Sequence, residues 1–220
     1  MSLNIPIIYQ DNDIVAINKP AGISVHKGIS EKGETVADWL VEKFPEMKKI
    51  GDDPELRPGI VHRLDKETSG VLVVAKNQRA FDFMKSQFQN REVVKKYLAL
   101  VEGKLKTDKG VIALPIGKSV NDFRKKMASG VVRGELREAI TEYETLEIFP
   151  KHTLVEVYPK TGRTHQVRVH FKAIGNPIVC DSLYGGKRMT CPFDLSRHFL
   201  HANFLEFTAP SGAKLKIEAD

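Results

Sequence analysis

Short apolar runs bounded by turn residues recur along almost the whole chain, and few segments repeat their apolar residues at helical spacing. This pattern constrains the fold more than any other feature. A strand of about four to eight residues can bury one face or both, whereas a helix needs apolar residues three and four apart. Ile5–Tyr9, the polar turn Asp11-Asn12-Asp13 and Ile14–Ile17 read as a hairpin. Lys19-Pro20-Ala21-Gly22 breaks its second strand. Val71–Ala75 is a continuous apolar run and reads as a buried strand. Val93–Val101 reads as another, and Ala139–Phe149 and Thr153–Tyr158 as a pair joined through Pro150-Lys151-His152. A closing hairpin runs through Phe199–Thr208, Pro210-Ser211-Gly212 and Lys214–Glu218. Residues 45–59 are expected to form a loop, and the Gly- and Lys-rich stretch 103–135 to be mostly irregular.

The helical segments carry their own start and stop signals. Thr35-x-x-Asp38 is a capping-box-like start for Val36, Leu40, Val41 and Phe44. Asn77 caps a helix whose apolar face is Ala80, Phe81, Met84 and Phe88. A further helix is expected from about Thr164 to Ile174, closed by Gly175. Scattered helices among many strands lack the regular alternation of a doubly wound sheet. The pattern predicts an α+β fold, a largely antiparallel mixed sheet with peripheral helices. No repeat, low-complexity stretch or linker divides the sequence, so residues 1–220 are read as a single catalytic domain with no separate N-terminal module.

Composition narrows the class. Of the 220 residues, 41% are hydrophobic and 28% charged, as in a folded globular chain rather than a disordered or membrane one. No stretch approaches the roughly 20 apolar residues of a membrane span, and the start lacks a secretory signal, so a cytoplasmic protein is expected. Two cysteines, Cys180 and Cys191, suit a reducing compartment rather than a disulfide framework. Together with His198 and His201 they lack the short Cys-x-x-Cys pairing of structural zinc sites, and no metal is expected. Lys and Arg number 34 against 28 Asp and Glu, a net charge of +6 that suits a polyanion such as RNA or DNA.

Three segments carry candidate chemistry. His62-Arg63-Leu64-Asp65-Lys66-Glu67-Thr68-Ser69-Gly70 joins a Pro/Gly loop to the strand at Val71. Cations around a partly buried Asp65 would keep it ionised, as a nucleophile or general base requires. The same residues also suit a loop Asp capped by Thr68 and Ser69 in a surface ion pair. In Gly162-Arg163-Thr164-His165-Gln166-Val167-Arg168-Val169-His170, helical spacing puts Val167, Phe171 and Ile174 on one face. It puts His165, Arg168 and Lys172 on another, a cationic row that is either functional or simply solvated. Its Gly-Arg-Thr start could present helix N–H groups to a phosphate. Tyr97, in Lys95-Lys96-Tyr97-Leu98-Ala99-Leu100, alternates with Lys96 and Leu98 and is either a core aromatic or a platform for a base.

HRLDKETSG, KKYLAL and GRTHQVRVH together closely resemble the core motifs of the RluA-type pseudouridine synthases, the ribosomal-large-subunit branch. IIYQDNDIVAINKPAGISVH, the Asn176–Gly185 segment with Pro177, Asp181, Tyr184 and Gly185, and Arg197–Ala202 extend the likeness over nearly the whole chain. The resemblance implies the pseudouridine synthase fold with a central RNA-binding cleft. It implies isomerisation of a uridine in structured RNA, a ribosomal or transfer RNA stem-loop, with no cofactor. Asp65 would be the catalytic carboxylate, Arg168 the cation that pairs with it, and Tyr97 the active-site tyrosine. Arg63 would enter the space left by the extruded nucleotide, with Leu64 and Val167 lining the pocket. His62, Arg163, Arg124 and Lys125 are the further RNA-binding candidates, the last two within the basic run 124–126. The protein is expected to act as a monomer. An RNA N-glycosidase and a catalytically silent RNA-binding protein are the competing readings.

Overall fold

The computed structural model describes residues 3–28, 31, 33–128, 130–186 and 191–220. In chain order the elements are β1 (Ile7–Gln10), β2 (Ile14–Lys19), α1 (Val36–Lys43), β3 (Ser69–Ala75), α2 (Gln78–Gln89), β4 (Val94–Glu102), β5 (Lys109–Ile112), β6 (Ile116–Ser119), β7 (Lys126–Met127), β8 (Val132–Arg137), β9 (Thr141–Ile148), β10 (His152–Pro159), α3 (Gln166–Ala173), β11 (Leu200–Thr208) and β12 (Lys214–Glu218). A 3-10 turn at Pro45–Lys49 interrupts the loop after α1. The chain is α+β with largely antiparallel pairing, as expected. It divides into two compact units, Met1–Val94 with Ala202–Asp220, and Lys95–His201. No helix among the described residues is long and apolar enough to cross a membrane.

In the first unit β1 pairs with β2, β2 with β3, and β11 with β12, all antiparallel. Every residue of β3 is buried, as its unbroken apolar run requires. Ile14, Ala16, Val71, Val73, Met84, Leu205, Phe207 and Ile217 make the core. The caps form as the sequence indicates. Thr35 Oγ1 accepts from the Asp38 N–H, and the Asp38 carboxylate accepts from the Thr35 N–H. Asn77 Oδ1 accepts from the Ala80 N–H at 2.9 Å. Gln87, a polar residue on the buried face of α2, bonds both backbone groups of Thr208 and so completes the backbone pairing of β11 there.

In the second unit β4 pairs with β10, β10 with β9, and β9 with β5. Ala99, Val101, Tyr143, Val155, Val157, Val167, Phe171 and Ile178 form its core. A small separate sheet has the order β7-β6-β8. Residues 103–135, expected to be irregular, thus contain β5, β6, β7 and the start of β8. These strands are two to six residues long, and outside β6 they bury few of their residues. They exist because partner strands supply their ladders, a contribution that local apolar patterning does not register. The expectation for the cysteines is also corrected. Cys180 and Cys191 are disulfide-bonded, with Cα atoms 5.3 Å apart across a sequence separation of 11. Cys180 sits in the left-handed backbone region.

Gly70 ends the HRLDKETSG motif for a steric reason. Its φ is +117°, and a Cβ there would lie 2.2 Å from the Ala202 carbonyl oxygen. Gly70→Ala is expected to cost at least about 3 kcal/mol, because strain and overlap add. Gly28→Ala, where a Cβ meets nothing within 4 Å, serves as the control and should change stability little. Urea unfolding of both variants checks this, and equal midpoints would contradict it.

Candidate active site

The loop that carries Asp65 is built around a buried ammonium. Lys19 is wholly buried at the end of β2, and its Nζ donates to the carbonyls of Pro20 (2.7 Å), Ile23 (2.9 Å) and Lys66 (3.0 Å). Burying an ammonium is costly unless its N–H groups are satisfied, and these three acceptors do so. The Gly22 N–H also donates to the Lys66 carbonyl, and the Thr68 N–H to the Asp65 carbonyl. The Lys-Pro-Ala-Gly turn therefore clamps the backbone on the C-terminal side of Asp65. Asp65 is half-buried, Leu64 is buried, and Arg63 is exposed.

His62 and Arg63 occupy different settings. His62 Nε2 accepts the Val73 N–H at 3.0 Å, and its ring stacks on Phe88 at 4.4 Å. It thus pins the loop to β3 and α2. Arg63 Nη1 lies 3.1 Å from His26 Nε2, while His26 Nδ1 faces the Lys27 carbonyl. Nδ1 must donate to that carbonyl, so Nε2 is the acceptor for Arg63. Burial lowers the His26 pKa, and the charges of Arg63 and Arg57 lower it further, so the ring is neutral.

In the second unit, Arg168 is 6% exposed on α3. It forms a two-pronged pair with Asp181, Nε to Oδ2 at 2.7 Å and Nη2 to Oδ1 at 2.9 Å. The Tyr184 ring lies 5.1 Å from the guanidinium carbon. Asp181 Oδ1 also accepts the N–H groups of Leu183 and Tyr184. Burial by itself would raise the Asp181 pKa, but the Arg168 bonds and charge and the Tyr184 N–H outweigh it and leave the group lowered. Tyr184 Oη accepts the Lys126 N–H and is hydrogen-bonded to His165 Nδ1, both at 2.8 Å.

Helix α3 begins at Gln166, later than expected, because His165 adopts a left-handed conformation with φ of 59°. The predicted apolar face holds, with Val167 and Phe171 buried. The cationic row does not. His165 lies outside the helix, Arg168 is buried against Asp181, and Lys172 is exposed. Gln166 organises the turn before the helix, its Oε1 accepting from Thr161 Oγ1 and the Arg163 N–H. Arg163 Nε donates to the Glu138 carbonyl, and Val167 packs in the core against which Tyr97 of β4 rests. Arg124 is ion-paired with Asp122 on the surface, and its hydrogen bonds hold the Asp122 pKa at about 2. Lys125 adjoins this pair, half-buried.

Asp65, Arg63, His62 and Leu64 thus belong to the first unit, and Tyr97, Arg168, Val167, Arg163, Arg124 and Lys125 to the second. Reading the residues did not assign roles to Lys19, His26, Asp181 or Tyr184. The signals were present as a lysine directly before Pro-x-Gly and an Asp-x-x-Tyr-Gly segment, but one partner of each, Lys66 for Lys19 and Arg168 for Asp181, lies elsewhere in the chain. Among the described residues, no cluster of His, Cys, Asp or Glu could hold a metal ion.

Asp181→Asn leaves the buried guanidinium without its carboxylate and is expected to cost about 3–5 kcal/mol near neutral pH. The folded pKa of Asp181 is depressed, so its stabilisation is complete above the unfolded value of about 4 and declines as pH falls through the lower folded value. Denaturant unfolding across that acid range should show wild type and variant converging. A constant gap would contradict the assignment.

Comparison with known proteins places this arrangement. Residues 13–173 match the model of the RNA pseudouridylate synthase family. The chain is 38% identical over 218 residues to an uncharacterized RNA pseudouridine synthase of Bacillus subtilis, covering 99% of this chain and 69% of that protein. It is 42% identical over 184 residues to ribosomal large subunit pseudouridine synthase D of Borreliella burgdorferi, covering 83% of this chain and 56% of that protein. Among solved structures, human RNA pseudouridylate synthase domain containing 1 superposes with a TM-score of 0.80 at 28% identity, over 99% of this chain and 83% of that one. The chain spans roughly 56–70% of the length of the curated relatives it matches. Matched through the segments that hold Asp65, Tyr97 and Arg168, the chain belongs to the RNA pseudouridylate synthase family, in its RluA-type branch.

Proposed function

We propose that this chain isomerises a uridine within structured RNA to pseudouridine, with Asp65 as the catalytic carboxylate. The observation that carries the reading is the family match over residues 13–173, a span that includes Asp65, Tyr97 and Arg168. The N1–C1′ bond of the uridine breaks, the uracil turns, and a C5–C1′ bond forms. The C5 hydrogen leaves as a proton and N1 ends protonated, so atoms and electrons balance with no cofactor. Ribosomal RNA is the first substrate class to test, since one relative is described as acting on the large ribosomal subunit, and transfer RNA is the second.

In this proposal one catalytic domain divides the roles among its residues. Asp65 acts at C1′ as nucleophile or by assisting elimination, from a backbone held by Lys19. Arg168 takes the role of the cation that serves the catalytic carboxylate, and its own orientation comes from Asp181. Tyr97 stacks on the base and handles the C5 proton. Extruding the uridine costs about a few kcal/mol of stacking and pairing. Arg63, exposed beside Asp65, offsets part of this by filling the vacated space. Leu64 and Val167 help exclude water, which would otherwise divert the detached base to free uracil. His62, Arg163, Arg124 and Lys125 stand as RNA contacts, with His62 acting chiefly through the loop it anchors.

Asp65→Asn is expected to reduce isomerisation at least about 1,000-fold while RNA affinity stays within a few-fold. Release of tritium from RNA labelled at C5 of uridine measures turnover, and filter binding measures affinity. Retained turnover would remove Asp65 from the mechanism, and free uracil with an abasic site would establish the glycosidase instead. Binding without product from the wild type, across ribosomal and transfer RNA, would establish the silent binder. Arg168→Ala should lower turnover more than affinity, and equal losses would make it a phosphate contact.

A further inference from the structure

The small sheet of the second unit lines up cations in a way that folding does not favour. Lys118 on the central strand β6 stands directly opposite Lys126 on β7 and Arg133 on β8. Directly paired residues of antiparallel strands project to the same face, so the three side chains form a row across the sheet. Strands lie roughly 4.8 Å apart, which places three positive charges within about 10 Å. Like charges at directly opposed positions destabilise a sheet. The strain registers at Lys126, whose pKa is lowered by burial and then by the charges of Lys118 and Arg133. Among the described residues these side chains take part in no ion pair. Asp122, in the turn between β6 and β7, is held by Arg124. Lys118 and Arg133 are exposed and Lys126 is half-buried, so the row faces solvent.

The row also has a firm base. Ile116 of β6 packs with Val169 of α3 and with Tyr184. The Lys126 N–H donates to Tyr184 Oη, and the Tyr184 ring lies against the Arg168 guanidinium. The cations are therefore held in fixed relation to Arg168.

We infer that Lys118, Lys126 and Arg133 form a binding row for consecutive phosphates of the RNA backbone, held in register with Arg168 through Tyr184. The inference rests on the RNA-modifying reading above and adds a surface that motif resemblance does not mark. A row of fixed cations fits a regularly spaced polyanion, and bound phosphates would relieve the repulsion that the free protein carries.

The test uses the full chain and a short synthetic RNA stem-loop of arbitrary sequence, with fluorescence anisotropy read over a series of KCl concentrations. K118Q/R133Q should weaken binding about tenfold or more near 0.1 M salt and make the slope of log K against log salt shallower by roughly 1.4–1.8, the contribution of two phosphates. K118R/R133K should retain both. The thermal midpoint of K118Q/R133Q should hold or rise, because opposed like charges are removed. Unchanged affinity and slope would overturn the inference, as would a fall in the thermal midpoint that accounts for the lost binding. A loss confined to phosphatidylglycerol vesicles would assign the row to a membrane and overturn it too. If wild type binds the stem-loop through these cations yet forms no pseudouridine in any RNA, the isomerase reading fails and the row stands. If pseudouridine forms and the variant binds like wild type, the row alone fails.

Discussion

A cation taken out of water must be met by polar partners, and that requirement organises the parts of this protein that matter most. Lys19 meets it with backbone carbonyls, one of them from the residue after Asp65. Arg168 meets it with the carboxylate of Asp181. In each case the satisfied charge ties a segment carrying proposed chemistry to a rigid strand or helix. The cost of leaving either group unsatisfied is several kcal/mol, a large fraction of a domain's net stability. The geometry is therefore held as tightly as the fold itself.

The surrounding polar groups follow the same logic. His62 spends its ring nitrogen on the Val73 N–H, and Gln166 ties the turn before α3 to Ile140 and Thr141. His170, wholly buried, bonds both Thr141 Oγ1 and the Leu114 carbonyl, and burial keeps it neutral. These residues sit inside the motifs that mark the family, yet their side chains serve the scaffold. Burial and hydrogen-bond partners identify the side chains of such a motif that hold the scaffold.

Much of the fold was legible because its signals are local. The capping residues Thr35 and Asn77 act within one turn of chain, and the hairpin at Asp11–Asp13 closes over neighbouring residues. The strands within 103–135 were not legible. β5 depends on β9, about thirty residues onward, and its own face shows one buried residue. The helix face of α3 was half legible. Spacing found the buried apolar side, but nothing local shows that Arg168 turns inward to a carboxylate 13 residues away.

By itself the sequence determined the α+β class, the hairpins and the helix caps. These follow from side-chain type and from interactions spanning a few residues. Only the tertiary structure decided which cations are buried and what satisfies them, that Cys180 and Cys191 are bonded, and that Lys118, Lys126 and Arg133 share one face. Those outcomes depend on strand register and on contacts between distant segments. Charge, burial and hydrogen-bond geometry are settled there jointly, because no residue's environment exists until its partners have arrived.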